Sequence, residues 1–152
     1  MNDDALASAR VLTVGHSDRT AEKLAELLSG ARVSCVVDVR SHPWSRRHPW
    51  HGRVEMERSL ARAGIEYVWM GGALGGMRAG GYAQHRETIA YRDAISELLK
   101  LAGEKRVAVL CAERDPWHCH RRFIADDLSQ RGVEVRHLLD EDESAPHQPS
   151  LL

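Results

Sequence analysis

The amino-acid sequence predicts a three-layer α/β/α domain built on a mainly parallel, five-stranded sheet. Short apolar runs alternate with amphipathic segments along the chain, which is the pattern of successive β-α-β units with right-handed crossovers. Each amphipathic segment also ends at a glycine before an apolar run, and glycine commonly follows the last turn of a helix. The four predicted helix ends are Gly30, Gly64, Gly103 and Gly132.

Strands are predicted where apolar, often β-branched residues follow one another, as in strands buried on both faces. They cover residues 11–14, 33–39, 65–69, 107–111 and 133–138. Cys35 lies inside the second strand and is expected in the core. The helices are predicted from apolar residues at helical spacing, over residues 21–30, 53–64, 87–102 and 116–132. Thr20 is the expected N-cap of the first helix, and Asp115 followed by Pro116 predicts the start of the fourth.

A single folded unit is expected over residues 1–139, because no change in composition divides them. Residues 140–152 are acidic at first and then contain Pro, Ser and Gln, which predicts a flexible C-terminal tail.

The composition excludes several broad classes of protein. A formal net charge of -1 provides no overall basic field for nucleic acid and no acidic excess typical of disorder. Three cysteines, an odd number, predict free thiols in a reducing compartment rather than a disulfide framework. The acidic N-terminus does not resemble a signal peptide, and no segment reaches the roughly 18 apolar residues of a membrane span. We therefore expect a soluble cytoplasmic protein with no membrane partner.

The candidate site lies where the predicted strands end, because ligands of an open parallel sheet bind outside the carboxyl ends of its strands. Polar side chains are concentrated at those ends, and we expect them to converge. They are His16 and Ser17, Asp38 and Arg40, Cys111 and Glu113, and Cys119, His120 and Arg121.

The two cysteines of this set allow two interpretations. Cys119 is predicted in the first turn of a helix, beside histidines and arginines that favour a nucleophilic thiolate. Cys111 ends a strand and faces the same edge. The alternative is that both are small, partly buried core residues, as free cysteines usually are. No arginine lies five or six residues after Cys111, so the phosphate loop of tyrosine phosphatases and rhodanese-type sulfurtransferases is absent.

We predict no cofactor and no metal ligand. Zinc is a minor alternative, because cysteines and histidines of the strand ends could meet at one ion, but closely paired ligands of the C-x2-C type are missing.

The charged residues also allow two interpretations. Glu113 is a candidate general base, and Asp38 could orient His16 or Arg40. The alternative is an internal network of salt bridges among Asp38, Arg40, Glu113 and Arg121 that fixes the loops.

Residues 40–53 form one basic, aromatic and acid-free segment. Arginines such as Arg46 and Arg47 can pair with phosphate oxygens, and Trp44 can stack on a base. A solvated loop, or a homodimer interface covered by its tryptophans, is the alternative. Residues 71–81 contain six glycines, including Gly75 and Gly76, and predict either a mobile lid that shapes the substrate site or an irregular linker.

These motifs together resemble the bacterial family named domain of unknown function 488, over residues 11–138. The resemblance depends on five short pieces, which cover residues 15–17, 38–46, 74–76, 111–113 and 119–121. It implies an α/β/α fold and a shared cluster of polar positions, and it implies no established activity.

We favour an enzyme that acts on a phosphate-bearing substrate, such as a nucleotide or nucleic acid. Arg40, Arg46 and Arg121 would hold the anion. Glu113 and His120 are the acid and base candidates, with Cys111 or Cys119 as nucleophile. The main alternative is a non-catalytic nucleic-acid or nucleotide binding module that uses the basic loop, and a thiol-redox or sulfur-handling protein is the third.

Overall fold

The fold is taken from a computed structural model, which describes residues 9–78 and 80–149. In these residues the strands are β1 (Val11–Gly15), β2 (Cys35–Asp38), β3 (Glu66–Trp69), β4 (Val107–Cys111), β5 (Val135–Asp140) and β6 (Glu143–Pro146). The helices are α1 (Ala21–Gly30), α2 (Arg53–Arg62), α3 (Gly71–Leu74), α4 (Tyr82–His85), α5 (Ile89–Glu104) and α6 (Arg121–Gln130). Two 3-10 turns, Pro49–His51 and Pro116–His118, complete the regular structure.

The strands form one sheet in the order β3-β2-β4-β1-β5-β6, and all neighbouring pairs except β5 and β6 are parallel. In the centre of the sheet, Gly15 of β1 pairs with Cys111 of β4. On the other side of β4, Asp38 of β2 pairs with Leu110. The carboxyl ends of three adjacent strands therefore lie level at one edge of the sheet.

The core has two layers because successive strand residues point to opposite faces. Val107 and Val109 pack with α5 and α6, whereas Ala108 and Leu110 pack with α1 and α2. Both faces of the sheet are thus covered by helices. This arrangement confirms the predicted three-layer α/β fold with a mainly parallel sheet.

The sheet has six strands among the described residues, not the five predicted. The additional strand, β6, lies within the segment predicted as a flexible tail, residues 140–152, of which residues 150–152 lie outside the described part. The chain turns after Asp140 and returns antiparallel to β5, where Leu138 pairs with Ser144. The Arg136 Nε donates to Ser144 Oγ at 2.7 Å. Edge pairing of this kind uses backbone groups, so it does not require the apolar pattern by which strands are predicted.

The predicted helix ends are correct at three of the four glycines, and two of these glycines adopt the left-handed conformation. Gly64 and Gly132 follow α2 and α6 with φ values of 76° and 83°, in the left-handed region that glycine adopts without a steric penalty. Gly30 instead is the last residue of α1, and Arg32 takes the left-handed conformation. Gly103 lies inside α5, which continues to Glu104. In the described part of the chain, no helix combines the length and the apolar character needed to cross a membrane.

Candidate functional site

A cleft of about 420 Å³ opens at the carboxyl edge of the sheet. Eight of the residues predicted for the site line it, and they are His16, Arg40, Trp44, Gly76, Cys111, Glu113, Cys119 and His120. The other six, which are Ser17, Asp38, Arg46, Arg47, Gly75 and Arg121, do not line it. The strand-end argument therefore locates the cleft, and contacts within it separate reactive groups from supporting ones.

Two thiols meet at the base of the cleft. Cys111 ends β4 and is 2% exposed, and its Sγ lies 2.6 Å from the Sγ of Cys119. Both residues are free cysteines. A disulfide bond is about 2.0 Å long, so a movement of less than 1 Å would bring the two sulfur atoms to bonding distance. Cys35, by contrast, is fully buried inside β2, as predicted.

The segment before Cys119 differs from the predicted helix. Asp115 accepts a hydrogen bond from the backbone N–H of Trp117 at 2.9 Å, as an N-cap does, but it caps only a 3-10 turn. The backbone is extended at Cys119, and α6 begins at Arg121 rather than at Pro116. The prediction of one continuous helix from Pro116 was wrong because cap residues also start short turns. Cys119 consequently stands just before the positive end of α6.

His120 is arranged as a base for Cys119. The ring Nε2 donates to the carbonyl oxygen of Val39 at 3.0 Å, so Nδ1 carries the lone pair of the neutral ring. That Nδ1 lies 3.5 Å from the Sγ of Cys119. A nucleophile, a base within reach and a third group that orients the base are the parts of an activated nucleophile.

The electrostatic environment separates the two thiols. The pKa of Cys119 is lowered by the hydrogen bond from Cys111, with further lowering from His120 and from the backbone N–H of Arg121, against the opposing effect of burial. Burial raises the pKa of Cys111, and its hydrogen bond to Cys119 raises it further. The two pKa shifts have opposite directions and favour Cys119 over Cys111 as the thiolate of the pair.

His16 contributes a second imidazole to the cleft. Burial lowers the pKa of His16 to about 4, so the ring is neutral near pH 7. Its Nδ1 donates to the carbonyl oxygen of Ser17 at 3.0 Å, which leaves the lone pair on Nε2. Ser17 has a φ of 48°, and residues other than glycine adopt such a left-handed conformation at a cost that is typical of functional sites. Ser17 therefore acts on His16 through its backbone and does not line the cleft.

Asp38 and Arg40 form a closed salt bridge. Arg40 Nε and Nη2 donate to the two carboxylate oxygens of Asp38 at 2.9 and 2.7 Å, and Nη1 donates to the carbonyl oxygen of His51 at 2.7 Å. Tyr67 also donates its hydroxyl to Asp38. Asp38 is 0% exposed. Sequence reasoning missed Tyr67 and His51, since no local pattern connects β3 and the basic loop to this carboxylate.

Arg121 is fully buried and is also engaged by the protein. Its Nη1 donates to Thr13 Oγ1 at 2.9 Å, and its Nη2 donates to the carbonyl oxygens of Glu113 and Arg114 at 2.7 and 3.2 Å. The Glu113 side chain is exposed at the cleft. Both Arg121 and Arg40 are thus engaged by protein acceptors, and their role as anion ligands stays a prediction.

The basic loop meets the cleft through one exposed aromatic side chain. Trp44 is 63% exposed and lines the cleft, whereas Arg46 and Arg47 are exposed outside it. The loop is held at its other end by Trp50 Nε1 and His51 Nε2, which both donate to the carbonyl oxygen of Arg19. Its predicted contact with nucleic acid stays a prediction.

The glycine-rich segment packs on the site. A Cβ on Gly75 would lie 2.1 Å from Ser41 Oγ, and a Cβ on Gly76 would lie 2.8 Å from His120 Nδ1. These distances are too short for any other residue without a shift, so glycine allows the segment to cover His120. The expectation that these glycines lie outside regular structure was wrong at Gly71 and Gly72, which form part of α3. Ala79 of this segment lies outside the described residues.

In the described ranges, 9–78 and 80–149, no three His, Cys, Asp or Glu side chains are grouped to hold a metal ion. Zinc at this cleft stays an untested alternative.

Comparison with known proteins gives one match. The family model described as "Domain of unknown function DUF488" matches residues 20–128. No curated protein and no solved structure matches the chain. The matched range includes β2, β3 and β4 and both cysteines of the cleft.

Proposed function

The chain belongs to the DUF488 family, whose description assigns no activity, and we propose that the protein is a thiol-dependent oxidoreductase. In this proposal Cys119 is the attacking thiolate and Cys111 is the resolving thiol. The observation that carries the proposal is the 2.6 Å separation of the two sulfur atoms in a cleft where His120 contacts only one of them. Thiol chemistry thereby becomes more strongly supported than it was by the sequence alone.

The proposed reaction is the reduction of a disulfide R–S–S–R′. The Cys119 thiolate attacks one sulfur, forms the mixed disulfide Cys119–S–S–R and releases R′–S⁻, which takes the proton held by His120. Cys111 then attacks Cys119 Sγ, forms the Cys111–Cys119 disulfide and expels R–S⁻, which takes the Cys111 proton. Two thiols leave, and the pair has lost two electrons. An external thiol of the glutathione class restores the dithiol.

The difference in exposure between Cys111 and Cys119 supports their separate roles. Cys111 is 2% exposed, so a substrate sulfur cannot approach it directly. Cys119 is only partly buried and has the lowered pKa that an attacking thiol needs at neutral pH. The buried partner needs to reach only the mixed disulfide beside it.

The test is a reaction with oxidised glutathione followed by mass spectrometry. The wild type is expected to release two equivalents of glutathione thiol and to lose two hydrogens, with the new disulfide between Cys111 and Cys119. Cys111→Ser should stop at the glutathione mixed disulfide on Cys119, because the resolving thiol is absent. Cys119→Ser should not react at a comparable rate.

Cys35→Ser is the matched control, since Cys35 is a buried thiol outside the cleft and its replacement should leave the reaction unchanged. A wild type whose thiols react only after unfolding would refute the proposal.

A second candidate is binding of a phosphate-bearing ligand, either a nucleotide substrate or single-stranded nucleic acid, at the mouth of the same cleft. The exposed side chains of Trp44, Arg46 and Arg47 in the same loop favour it, because arginines pair with phosphates and tryptophan stacks on bases. The ligand would then be either the substrate of an enzyme or the partner of a binding module.

A further inference from the structure

A second polar cluster lies behind the cleft, among β1, β5, α6 and the residues after β6. Thr13 Oγ1 contacts His137 Nδ1 at 2.6 Å, and His137 Nε2 contacts His147 Nδ1 at 2.9 Å. The Nε2 of His147 in turn contacts Asp126 Oδ1 at 2.6 Å. Arg121 joins the other end of this row, because its Nη1 donates to Thr13 Oγ1. Five side chains from four parts of the chain thus form one continuous hydrogen-bonded row.

All five side chains are removed from water. Arg121 and His137 are 0% exposed, Thr13 is 1% exposed, and the side chains of His147 and Asp126 are 1% and 6% exposed. The Trp117 ring covers both imidazoles, with its centroid 5.2 Å from that of His137 and 5.6 Å from that of His147. Buried polar groups in such numbers are stable only when each has a partner, so their arrangement is strongly constrained.

The row has one direction of donation. The ionised carboxylate of Asp126 can only accept, so His147 Nε2 carries a hydrogen and its Nδ1 is free to accept. His137 must then donate from Nε2 and accept at Nδ1, where Thr13 is the donor. Thr13 in turn accepts from Arg121, which can only donate. Each of the four contacts in the row then has one donor and one acceptor with both imidazoles neutral, whereas Arg121 Nε, which lies outside the row, is buried without a partner among the described residues. Burial lowers the pKa of His137 to about 3, in agreement with a neutral ring.

The cationic end of the row reaches the thiol site. Arg121 Nη2 donates to the carbonyl oxygens of Glu113 and Arg114, in the turn that connects Cys111 to Cys119. The Glu113 carbonyl oxygen also lies 3.7 Å from Cys111 Sγ. The backbone of Arg121 opens α6, two residues after Cys119. One guanidinium at the start of α6 thus contacts the middle of β1 and the turn that connects the two cysteines.

We infer that Thr13, Asp126, His137 and His147 are positioning residues for the thiol pair, acting through Arg121 on the turn between Cys111 and Cys119. The inference rests on the proposed thiol function and deepens it. The segment after β6, which supplies His147, becomes part of the site although it lies outside the cleft. An unbroken row keeps Arg121 in one position, and the distance between the two sulfur atoms is thereby kept short.

The first test replaces Thr13, the member that both Arg121 and His137 contact. Thr13→Val has nearly the same shape but neither donates nor accepts, whereas Thr13→Ser keeps the hydroxyl and is the conservative rescue. Two quantities are measured, the pH midpoint of Cys119 alkylation by iodoacetamide and the equilibrium constant of the Cys111–Cys119 disulfide with oxidised glutathione. For Thr13→Val we expect a midpoint higher by about one pH unit and an equilibrium constant about tenfold lower, the size of one lost charged hydrogen bond. For Thr13→Ser both should stay within about twofold of the wild type.

A second variant covers the case in which Thr13→Val does not fold, which circular dichroism would show. Asp126→Asn removes the negative charge at the far end of the row and should change both quantities in the same direction, by about threefold. Glu143→Gln is the matched control, because Glu143 is an exposed acid of β6 and its change should alter neither quantity.

The outcomes separate the two proposals. In one outcome the wild type has a low Cys119 midpoint and forms the disulfide readily, and a folded Thr13→Val or Asp126→Asn variant matches it in both quantities. This outcome would overturn the positioning inference alone. A wild type with an ordinary thiol midpoint and no disulfide would refute the thiol function, and the positioning inference with it.

Discussion

Two polar pairs lie near the carboxyl edge of the sheet, Asp38 with Arg40 and Cys119 with His120. They differ in how completely their hydrogen-bonding groups are paired within the protein. Asp38 and Arg40 are joined by two hydrogen bonds, and Tyr67 and the His51 carbonyl oxygen complete their coordination. Cys119 contacts the Cys111 sulfur, His120 Nδ1 and the backbone N–H of Arg121, and it also lines the open cleft. Each pair combines a potential anion with a potential cation: Asp38 with Arg40 at the end of β2, and Cys119 with His120 just before α6.

The comparison shows that position at a strand end identifies a site, whereas the remaining bonding capacity identifies its chemistry. A carboxylate with several donors and a guanidinium with several acceptors gain nothing further from a substrate. A thiolate between a thiol and an imidazole, open to a cleft, can exchange those partners for a substrate sulfur. We therefore expect a structural function for the first pair, and the proposed function assigns the reaction to the second.

The largest expected effect is on the closed pair. Asp38→Asn leaves the Arg40 charge buried without its counter-ion, and removing one member of a buried salt bridge costs about 3–5 kcal/mol of the free energy of unfolding. Urea denaturation followed by circular dichroism measures this loss. Cys119→Ser is the contrasting variant from the reactive pair, and we expect it to unfold at nearly the wild-type urea concentration.

Glu66→Gln serves as the control for charge removal, since Glu66 pairs with Lys105 on the surface, where ion pairs contribute little to stability. Equal stability of Asp38→Asn and Glu66→Gln would show that the buried pair contributes no more than a surface pair, and the comparison would lose its basis.

The sequence predicts the fold and the place of the cleft well, because both follow from repeated local patterns. Apolar runs and their alternation with amphipathic segments locate β1 to β5, and the strand-end rule brings His16, Cys111 and His120 to one cleft. The edge strand β6 escapes prediction because its pairing involves backbone groups in a polar segment.

The partners of each side chain could not be predicted, since they come from distant parts of the chain. Nothing near Asp38 in the sequence indicates that Tyr67 completes its hydrogen bonds. Likewise, His147 lies in a segment whose composition suggests disorder, yet it joins Asp126 to His137. Which arginine side chains are engaged by the protein depends on these long-range contacts, so the sequence could not indicate that Arg40 and Arg121 are bound to protein acceptors.

An intermediate effect on the free energy of unfolding is expected when the pH is lowered, because the neutral imidazoles of two histidines lie beside Asp38 and Arg40. Burial lowers the pKa of His16 and that of His51 to about 4, against about 6.5 in an unfolded chain. Between pH 6.5 and pH 4 the unfolded state therefore binds protons that the folded state does not. Stability is fully present above pH 6.5 and is lost as the pH falls toward 4, with His16 accounting for about 3 kcal/mol at most.

Urea denaturation at pH 7.5, 5.5 and 4.5 measures this loss. His16→Gln should show a shallower dependence of stability on pH than the wild type, because glutamine does not titrate. His118→Gln is the control, since the His118 side chain is 80% exposed and lies outside the buried region around His16. If stability depends on pH equally in His16→Gln and the wild type, His16 is not held neutral in the folded protein. The buried surroundings of Asp38 and Arg40 would then not include His16.

The smallest effect on stability is expected at the basic loop, which therefore tests binding without disturbing the fold. Trp44 is 63% exposed, so Trp44→Ala should leave the free energy of unfolding almost unchanged. If the ring stacks on a base, the same variant loses about 1–3 kcal/mol of affinity for single-stranded DNA.

Arg46→Ala with Arg47→Ala should weaken binding and reduce its salt dependence, because each lost phosphate contact lowers the slope by about 0.7 for single strands. The matched control is Arg58→Ala with Arg62→Ala, which removes the same charge from exposed positions of α2. Fluorescence anisotropy at several salt concentrations distinguishes the cases. A loss confined to the loop variants identifies a phosphate-binding surface beside the reactive thiol, whereas an equal loss in both double variants reflects net charge alone. Unchanged binding in all of them returns Trp44 and its neighbours to a structural or dimer surface, and the cleft then needs a substrate that carries no phosphate.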